Sequence, residues 1–205
     1  RHKAGYHDRN LYQNIASATK LREMNRNNEN INDFIPYKLE DINCDIPYDI
    51  SNLDSAIISK LRLMTAEDLQ NISEVTEGIE NRILSSANMS YSFETLVENV
   101  KNKRYTTSKI RRMIISALIG FTKDIYSPMP QYIRILGMNK VGMTILKQAK
   151  DICKVPIITK TADFKEQSPQ FNLDVRATNI AMLCNPIPTH RIGNADLKKS
   201  PIIMK

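Results

Sequence analysis

The stretch Thr107-Ser-Lys-Ile-Arg-Arg-Met-Ile-Ile-Ser-Ala-Leu-Ile-Gly-Phe121 decides the fold class of this chain. Its apolar residues recur three and four positions apart, the spacing that places them on one face of an α-helix. A hydroxyl residue at its start, Thr107 or Ser108, suits the beginning of such a helix. The residues expected to point inward are Ile110, Met113, Ile114, Ala117, Leu118 and Phe121.

The same helical spacing continues on the N-terminal side of this stretch. Thr65-Ala-Glu-Asp68 resembles a capping box, and Ser92 stands where it can cap a further helix. Ile79 and Ile83 lie four residues apart in another helical segment. These patterns predict a compact bundle of four or five short helices over about residues 53–122.

The pattern changes after Ser127-Pro-Met-Pro130, which interrupts a helix. The elements expected beyond it are a strand over Tyr132–Leu136 that ends at Gly137, a helix over Asn139–Ala149, a strand over Val155–Thr159 and a helix over about Asn172–Leu183. A proline-rich basic tail follows them. We therefore predict a mainly α protein with a helical bundle followed by a small α/β unit over about residues 131–184.

The first quarter of the chain is less regular. Residues 1–16 are polar and turn-like, and a short helix is expected to begin with Ser17 or Thr19 as its cap. Residues 31–52, which contain two prolines, are expected to form an irregular connector. The predicted organisation is therefore four segments, residues 1–30, 31–52, 53–126 and 127–205.

Composition narrows the classes of protein to consider. The 205 residues are 41% hydrophobic and 25% charged, which is typical of a folded globular chain. The longest nearly apolar run, Met113–Phe121, is far shorter than the ~20 residues that cross a bilayer, so no membrane partner is expected. Three widely spaced cysteines without a C-x-x-C pair argue against a disulfide framework and a structural metal, and indicate the cytoplasm. The formal net charge of +7 favours a polyanionic partner.

The strongest candidate for such a partner's site is the basic segment, residues 101–112. It holds six basic residues, one tyrosine and no acid. Its cations can contact phosphates, and its tyrosine can stack on an exposed base. The predicted RNA-binding residues are Lys101, Lys103, Arg104, Tyr105, Lys109, Arg111 and Arg112.

Two further clusters are weaker. Ile15–Arg22 places Ser17, Thr19 and Arg22 around a helix start, where hydroxyl, amide and guanidinium groups can meet a phosphate. An ordinary N-cap beside a solvated arginine explains the same spacing. Glu74 and its neighbouring carboxylates lack a histidine or a metal partner, and we interpret them as structural groups that brace the basic helix.

Six segments of the chain, in this order, resemble the bacterial tRNA(Met) cytidine acetate ligase family. They are Arg1-His-Lys-Ala-Gly-Tyr-His-Asp8, Ile15-Ala-Ser-Ala-Thr-Lys-Leu-Arg22, Glu77-Gly-Ile-Glu-Asn-Arg82, Lys103-Arg-Tyr-Thr-Thr-Ser-Lys-Ile-Arg-Arg112, Tyr132-Ile-Arg-Ile-Leu-Gly-Met-Asn-Lys140 and Asp174-Val-Arg-Ala-Thr-Asn179. The resemblance covers nearly the whole chain. The chain departs from the family at Lys109, where members often carry arginine. Lysine keeps the positive charge but cannot form the bidentate hydrogen bonds of a guanidinium group.

The resemblance implies an ATP-dependent enzyme. Such ligases use ATP, with Mg²⁺ expected beside it, to convert acetate to acetyl-adenylate, and they then acetylate N4 of the wobble cytidine in elongator tRNA(Met). By this match, Arg1 and His2 fall where the family contacts ATP. Ser17, Thr19 and Arg22 fall on the segment that closes the nucleotide site.

The family's H-x-G-H motif, which lies in its Rossmann-like nucleotidyltransferase domain, occurs nowhere in these 205 residues. We therefore expect residues 1–30 to be the C-terminal edge of that domain. We also expect no catalytic residue in this chain and no turnover by it alone. Two other functions stay open: an RNA-binding module that stands alone, and a nucleotidyltransferase that adenylylates a small metabolite.

Overall fold

A computed structural model describes residues 10–11, 15–27, 29–35, 49–76, 78–126, 129–165, 168–198 and 200–204. The chain divides into two units, Arg1–Asp49 with Asn185–Ile187, and Ile50–Cys184 with Pro188–Lys205. The described part is mainly helical, as the sequence predicts. No helix within these ranges is both long and apolar enough to span a membrane.

The first unit contains helix α1, Ala18–Arg26. Ser17 is its N-cap, and its hydroxyl accepts a hydrogen bond from the Lys20 amide at 3.1 Å, which confirms the expected start. Met24 is buried, and the helix ends where the asparagine-rich residues begin. Arg1 and His2 lie outside the described residues, as does most of the predicted connector.

In the second unit, five helices surround one hydrophobic core. They are α2 Asp54–Arg62, α3 Ala66–Gln70, α4 Ile79–Met89, α5 Phe93–Val100 and α6 Thr107–Ile119. Helix α2 packs on α4 and α6, and α4 packs on α5. The side chains of Ile57, Leu96, Ile110 and Met113 are completely buried in this core.

Local sequence explains the ends of these helices. Thr65 with Asp68 and Ser92 with Thr95 form reciprocal capping boxes, so both predicted caps are confirmed. The cap of α6 is Thr106, one residue before the expected start. Gly120 ends α6 at a φ of 72°, where a Cβ atom would lie 2.8 Å from Nη1 of Arg176.

Two arginine side chains each bind the C-terminal end of a helix that comes later in the chain. Arg62, the last residue of α2, donates hydrogen bonds to the carbonyls of Ala87, Asn88 and Ser90 at the end of α4. Arg82 of α4 donates in the same way at the end of α5, to the carbonyls of Asn99, Val100 and Lys101 at 2.8–3.0 Å. Both guanidinium groups thereby satisfy carbonyls that a helix leaves without an internal donor.

The strands are shorter than the sequence predicts, because residues 133–138 form two short strands that pair with different parts of the chain. Strand β1, Ile133–Arg134, pairs in parallel with β3, Ile157–Ile158. Gly137 does not end this strand but begins β2, Gly137–Met138, which pairs in parallel with β4, Ile202–Ile203. The expected basic tail therefore contributes a strand.

Three helices complete the second unit. They are α7 Lys140–Ile152, α8 Pro169–Met182 and α9 Ala195–Lys198. Helix α7 has no fully buried residue. Helix α8 begins three residues earlier than expected, because Ser168 caps it and Pro169 occupies its first turn. Cys184 is buried and Cys153 half-buried, and the two are not joined by a disulfide bond.

Candidate nucleic-acid interface

The basic segment runs from the end of α5 into the first half of α6. Lys101 follows the last residue of α5, and Thr106 accepts a hydrogen bond from the Lys109 amide to start α6. Between them, the Asn102 side-chain oxygen accepts hydrogen bonds from the amides of Arg104 and Tyr105, at 2.8 and 3.1 Å. This turn leaves the side chains of Lys103 and Arg104 exposed.

Carboxylates hold three of the six cations. Lys101 pairs with Glu98 at 3.5 Å, and Arg111 pairs with Glu94. Arg112 donates to both oxygens of Glu74 through Nε and Nη2, at 2.8–3.1 Å. Exposed pairs of this kind contribute little to stability, but they fix where the guanidinium groups lie.

Glu74 holds Arg112 from an unusual backbone conformation. Its φ is 66°, in the left-handed region that residues with a Cβ atom rarely adopt. The segment around it is anchored by the Ser73 amide, which donates to the Phe121 carbonyl at 2.8 Å. Hydrogen bonds from Arg112 lower the pKa of the Glu74 carboxyl, and Lys109 adds to the effect. Of the three carboxylates interpreted as braces, Glu74 binds the basic helix as expected, Glu80 instead accepts a hydrogen bond from Gln70, and Glu77 lies outside the described residues.

The ring of Tyr105 lies close to two of the other three cations, Arg104 and Lys109. Its ring is half-buried against the core, and its hydroxyl lies 2.6 Å from the hydroxyl of Thr76. Arg104 Cζ and Lys109 Nζ lie 5.4 and 5.2 Å from the ring centroid, within cation–π range. Stacking of Tyr105 on a base stays a prediction, and it must share the ring with these cations.

Lys103, Arg104 and Lys109 differ from the other basic residues of the segment. Within the described ranges, none of the three has a carboxylate within 4.0 Å. Their charge is therefore the part of the segment that is most available to a phosphate. The sequence indicated six equal cations, whereas the structure divides them into three held by carboxylates and three not.

The candidate ATP residues lie in the first unit. Ser17 is buried with its hydroxyl on the Lys20 amide, Thr19 is half-buried, and Arg22 is exposed one turn further along α1. Thr19 and Arg22 are thus on one side of the helix, as their spacing predicts. No acidic residue occupies the first turn of α1, so no carboxylate on this turn opposes an anion at the helix start.

Sequence reasoning missed a polar cluster that joins two of the quoted segments. The Tyr132 hydroxyl donates a hydrogen bond to Asp174, and a cavity of about 510 Å³ lies beside them. Burial, followed by the Asp174 carboxylate, raises the pKa of Tyr132. Arg134 forms a bidentate ion pair with the buried Asp196, with its Nη1 and Nη2 2.6–2.7 Å from the two carboxylate oxygens. The partners are 42 and 62 residues apart, so no local spacing could have indicated them.

No group of three or more histidine, cysteine, aspartate or glutamate residues within the described ranges is arranged to hold a metal ion. The Mg²⁺ expected with ATP therefore stays a prediction.

Comparisons with known proteins identify a family model and several enzymes to which this chain is similar. The HIGH Nucleotidyl Transferase family model matches residues 1–196. The tRNA(Met) cytidine acetate ligase of Thermosipho africanus is 32% identical over 98% of this chain and 54% of its own length. The enzyme of the same name from Clostridium botulinum is 32% identical over the whole chain and 52% of its own length. The chain thus spans about half the length of the curated relatives it matches.

Solved structures agree with the sequence relatives. Apo Thermotoga maritima TmcAL superposes with a TM-score of 0.84 at 27% identity, over 98% of this chain and 53% of that chain. The same protein bound with alpha-thio ATP gives a TM-score of 0.81 at 28% identity, over 95% of this chain and 53% of that chain.

Proposed function

We propose that this chain, which belongs to the HIGH nucleotidyl transferase family, is the RNA-binding C-terminal part of an ATP-dependent tRNA ligase. In the proposed reaction, acetate attacks ATP to give acetyl-adenylate and pyrophosphate. The acetyl group then passes to N4 of the wobble cytidine of elongator tRNA(Met), and AMP leaves. The observation that carries this proposal is the similarity to tRNA(Met) cytidine acetate ligases over at least 98% of the chain.

The basic segment is the proposed RNA contact. Lys103, Arg104 and Lys109 meet phosphates directly, because none of them forms an ion pair with a carboxylate of the described residues. The other three cations, Lys101, Arg111 and Arg112, each pair with a carboxylate, Glu98, Glu94 and Glu74, which reduces the charge that they present to a phosphate. Residues 53–126 would then be the RNA-facing part of the chain.

The proposed ATP contact is the edge formed by residues 1–30. Thr19 and Arg22 offer a hydroxyl and a guanidinium group on one side of α1, which suits a phosphate. Arg1 and His2 keep their proposed roles by resemblance. Because no H-x-G-H motif is present, we expect the 205-residue chain to bind tRNA without forming acetyl-adenylate by itself. The cytoplasmic location also stays a prediction.

The test compares two triple variants of equal charge. Lys103, Arg104 and Lys109 are replaced by alanine in one, and the exposed Lys147, Lys150 and Lys154 in the other. Binding of elongator tRNA(Met) is titrated at about 50 and 200 mM salt, where each phosphate contact contributes a slope of about 0.7–0.9. The first variant is expected to bind more weakly with a slope flatter by about two to three units, and the second to match the parent.

Two added measurements, binding of other tRNAs and adenylylation of a small metabolite, distinguish the two other functions from the proposed one. Equal loss in both triple variants would show only a general charge effect and would contradict an RNA face at the basic segment. Binding of all tRNAs with the same affinity would favour a general RNA-binding module. No tRNA binding, with adenylylation of a small metabolite, would favour the metabolite enzyme.

A further inference from the structure

An open cavity of about 430 Å³ lies beside the first half of α6, next to the basic segment. Ile50, Ile115 and Phe121 give it an apolar floor. Arg111, Arg112 and Glu74 form its charged rim. Its volume falls within the range of pockets that hold small organic molecules, which are mostly apolar with a few placed polar groups.

Arg111 presents a fixed guanidinium group at this rim. Its Cζ lies 5.0 Å from the centroid of the buried Phe93 ring, and Glu94 binds its Nη2. The guanidinium group is thus held from one side by an aromatic ring and at one edge by a carboxylate. A guanidinium plane held in this way is a surface on which unstacked bases of RNA commonly stack.

Arg112 is held differently, with one donor left over. Its Nε and Nη2 both donate to Glu74, whereas no residue of the described ranges accepts a hydrogen bond from its Nη1. This nitrogen can donate to a phosphate oxygen without breaking the pair with Glu74. The Glu74 carboxylate on the same rim disfavours a ligand with several negative charges, such as a free nucleoside triphosphate.

We infer that this cavity receives one unstacked nucleotide of an RNA loop, an assignment that rests on the proposed RNA-binding function. The base lies on the floor of Ile50, Ile115 and Phe121 and against the Arg111 guanidinium group. The single phosphate charge meets Arg111 and Arg112 Nη1. A nucleotide joins one apolar, flat group to one anion, and the cavity offers one surface for each.

The test fills the cavity without removing a charge. Ile115→Phe adds bulk at a half-buried position of the floor, and Ile152→Phe makes the same change at the exposed end of α7. The ligands are a stem-loop RNA, a blunt duplex of equal length and free adenosine monophosphate. Ile115→Phe is expected to weaken stem-loop binding by about 5- to 150-fold, the effect of losing one stacked base, with the salt slope unchanged. Duplex binding, and every property of Ile152→Phe, should match the parent.

A second measurement uses only the parent protein and so does not depend on how the variant folds. The stem-loop carries the fluorescent base 2-aminopurine in the loop or, in a second RNA, in the stem. Binding is expected to change the loop signal strongly and the stem signal little. An unchanged loop signal, or binding of adenosine monophosphate as tight as that of the stem-loop, would overturn the assignment to a nucleotide within an RNA loop.

The two proposals fail in different ways. If Ile115→Phe binds the stem-loop as the parent does while the Lys103/Arg104/Lys109 variant binds weakly, the cavity assignment is wrong and the RNA face stands. If the parent binds no RNA, both are wrong.

Discussion

The left-handed conformation of Glu74 gives a sharp test of how the basic helix is held. At a φ of 66°, a residue with a Cβ atom is strained by roughly 1–2 kcal/mol relative to the right-handed conformation. The ion pair with Arg112, whose side chain is 57% exposed against 36% for Glu74, acts in the opposite direction. Solvent screening keeps the contribution of such an exposed pair small.

Two substitutions separate these effects. Glu74→Ala removes the ion pair and keeps the strain, so the free energy of unfolding should fall only slightly. Glu74→Gly also removes the pair but relieves the strain. The stability gained in this way is reduced by about 0.4–1 kcal/mol, because glycine has greater conformational freedom in the unfolded chain. The glycine variant should therefore be more stable than the alanine variant by on the order of 1 kcal/mol.

Urea unfolding followed by circular dichroism measures both variants. Asn194 serves as the control position, because its φ is 61° and asparagine tolerates this conformation, so Asn194→Gly should gain less than the difference at Glu74. A glycine variant at position 74 that is no more stable than the alanine variant would refute the argument from strain.

Three further predictions concern contacts that hold the second unit together. Arg82→Ala should lower the free energy of unfolding by about 1.5–3 kcal/mol in urea titrations, since three carbonyls at the end of α5 lose a charged donor, whereas Arg26→Ala on exposed α1 should change it little. Asp196→Asn should cost about 3 kcal/mol in the same assay, because the largely buried Arg134 loses its carboxylate; a loss below that of Arg82→Ala would contradict this. The lowered pKa of Glu74 means that its pair with Arg112 stabilises the fold fully above the ordinary pKa of glutamate and is lost as the pH falls through the lowered value. Glu74→Gln should therefore lose less stability than the parent between neutral and acid pH, and parallel acid-unfolding curves would count against the pair.

Local signals in the sequence predicted the helical part of the fold well. Thr65 and Ser92 act as caps because a capping box needs only residues three apart, which a sequence displays directly. Strand β4 could not be predicted, because two isoleucines after a proline show no periodicity. Only the distant partner, Gly137–Met138, makes Ile202–Ile203 a strand.

In the candidate site, too, local sequence revealed some features and distant contacts determined the others. Composition located the basic segment, but the acids that hold Arg111 and Arg112 are 17 and 38 residues away in sequence. A charge count within twelve residues cannot include them. The number of cations without a carboxylate partner is therefore a property of the fold, although the position of the cations in the chain is a property of the sequence.

The uneven distribution of burial has a consequence for how the second unit opens. Its most deeply buried side chains lie in helices α2–α6 or in the segments that join them, whereas α7 has no buried residue and both residues of β4 are exposed. Amide hydrogens in α6 should therefore exchange with solvent only when the whole unit unfolds, and those of α7 and β4 should exchange through smaller openings. The second half of the basic segment belongs to α6, the helix expected to exchange most slowly. The charges of Lys103, Arg104 and Lys109 should therefore keep their arrangement while the strand-containing end of the unit opens and closes.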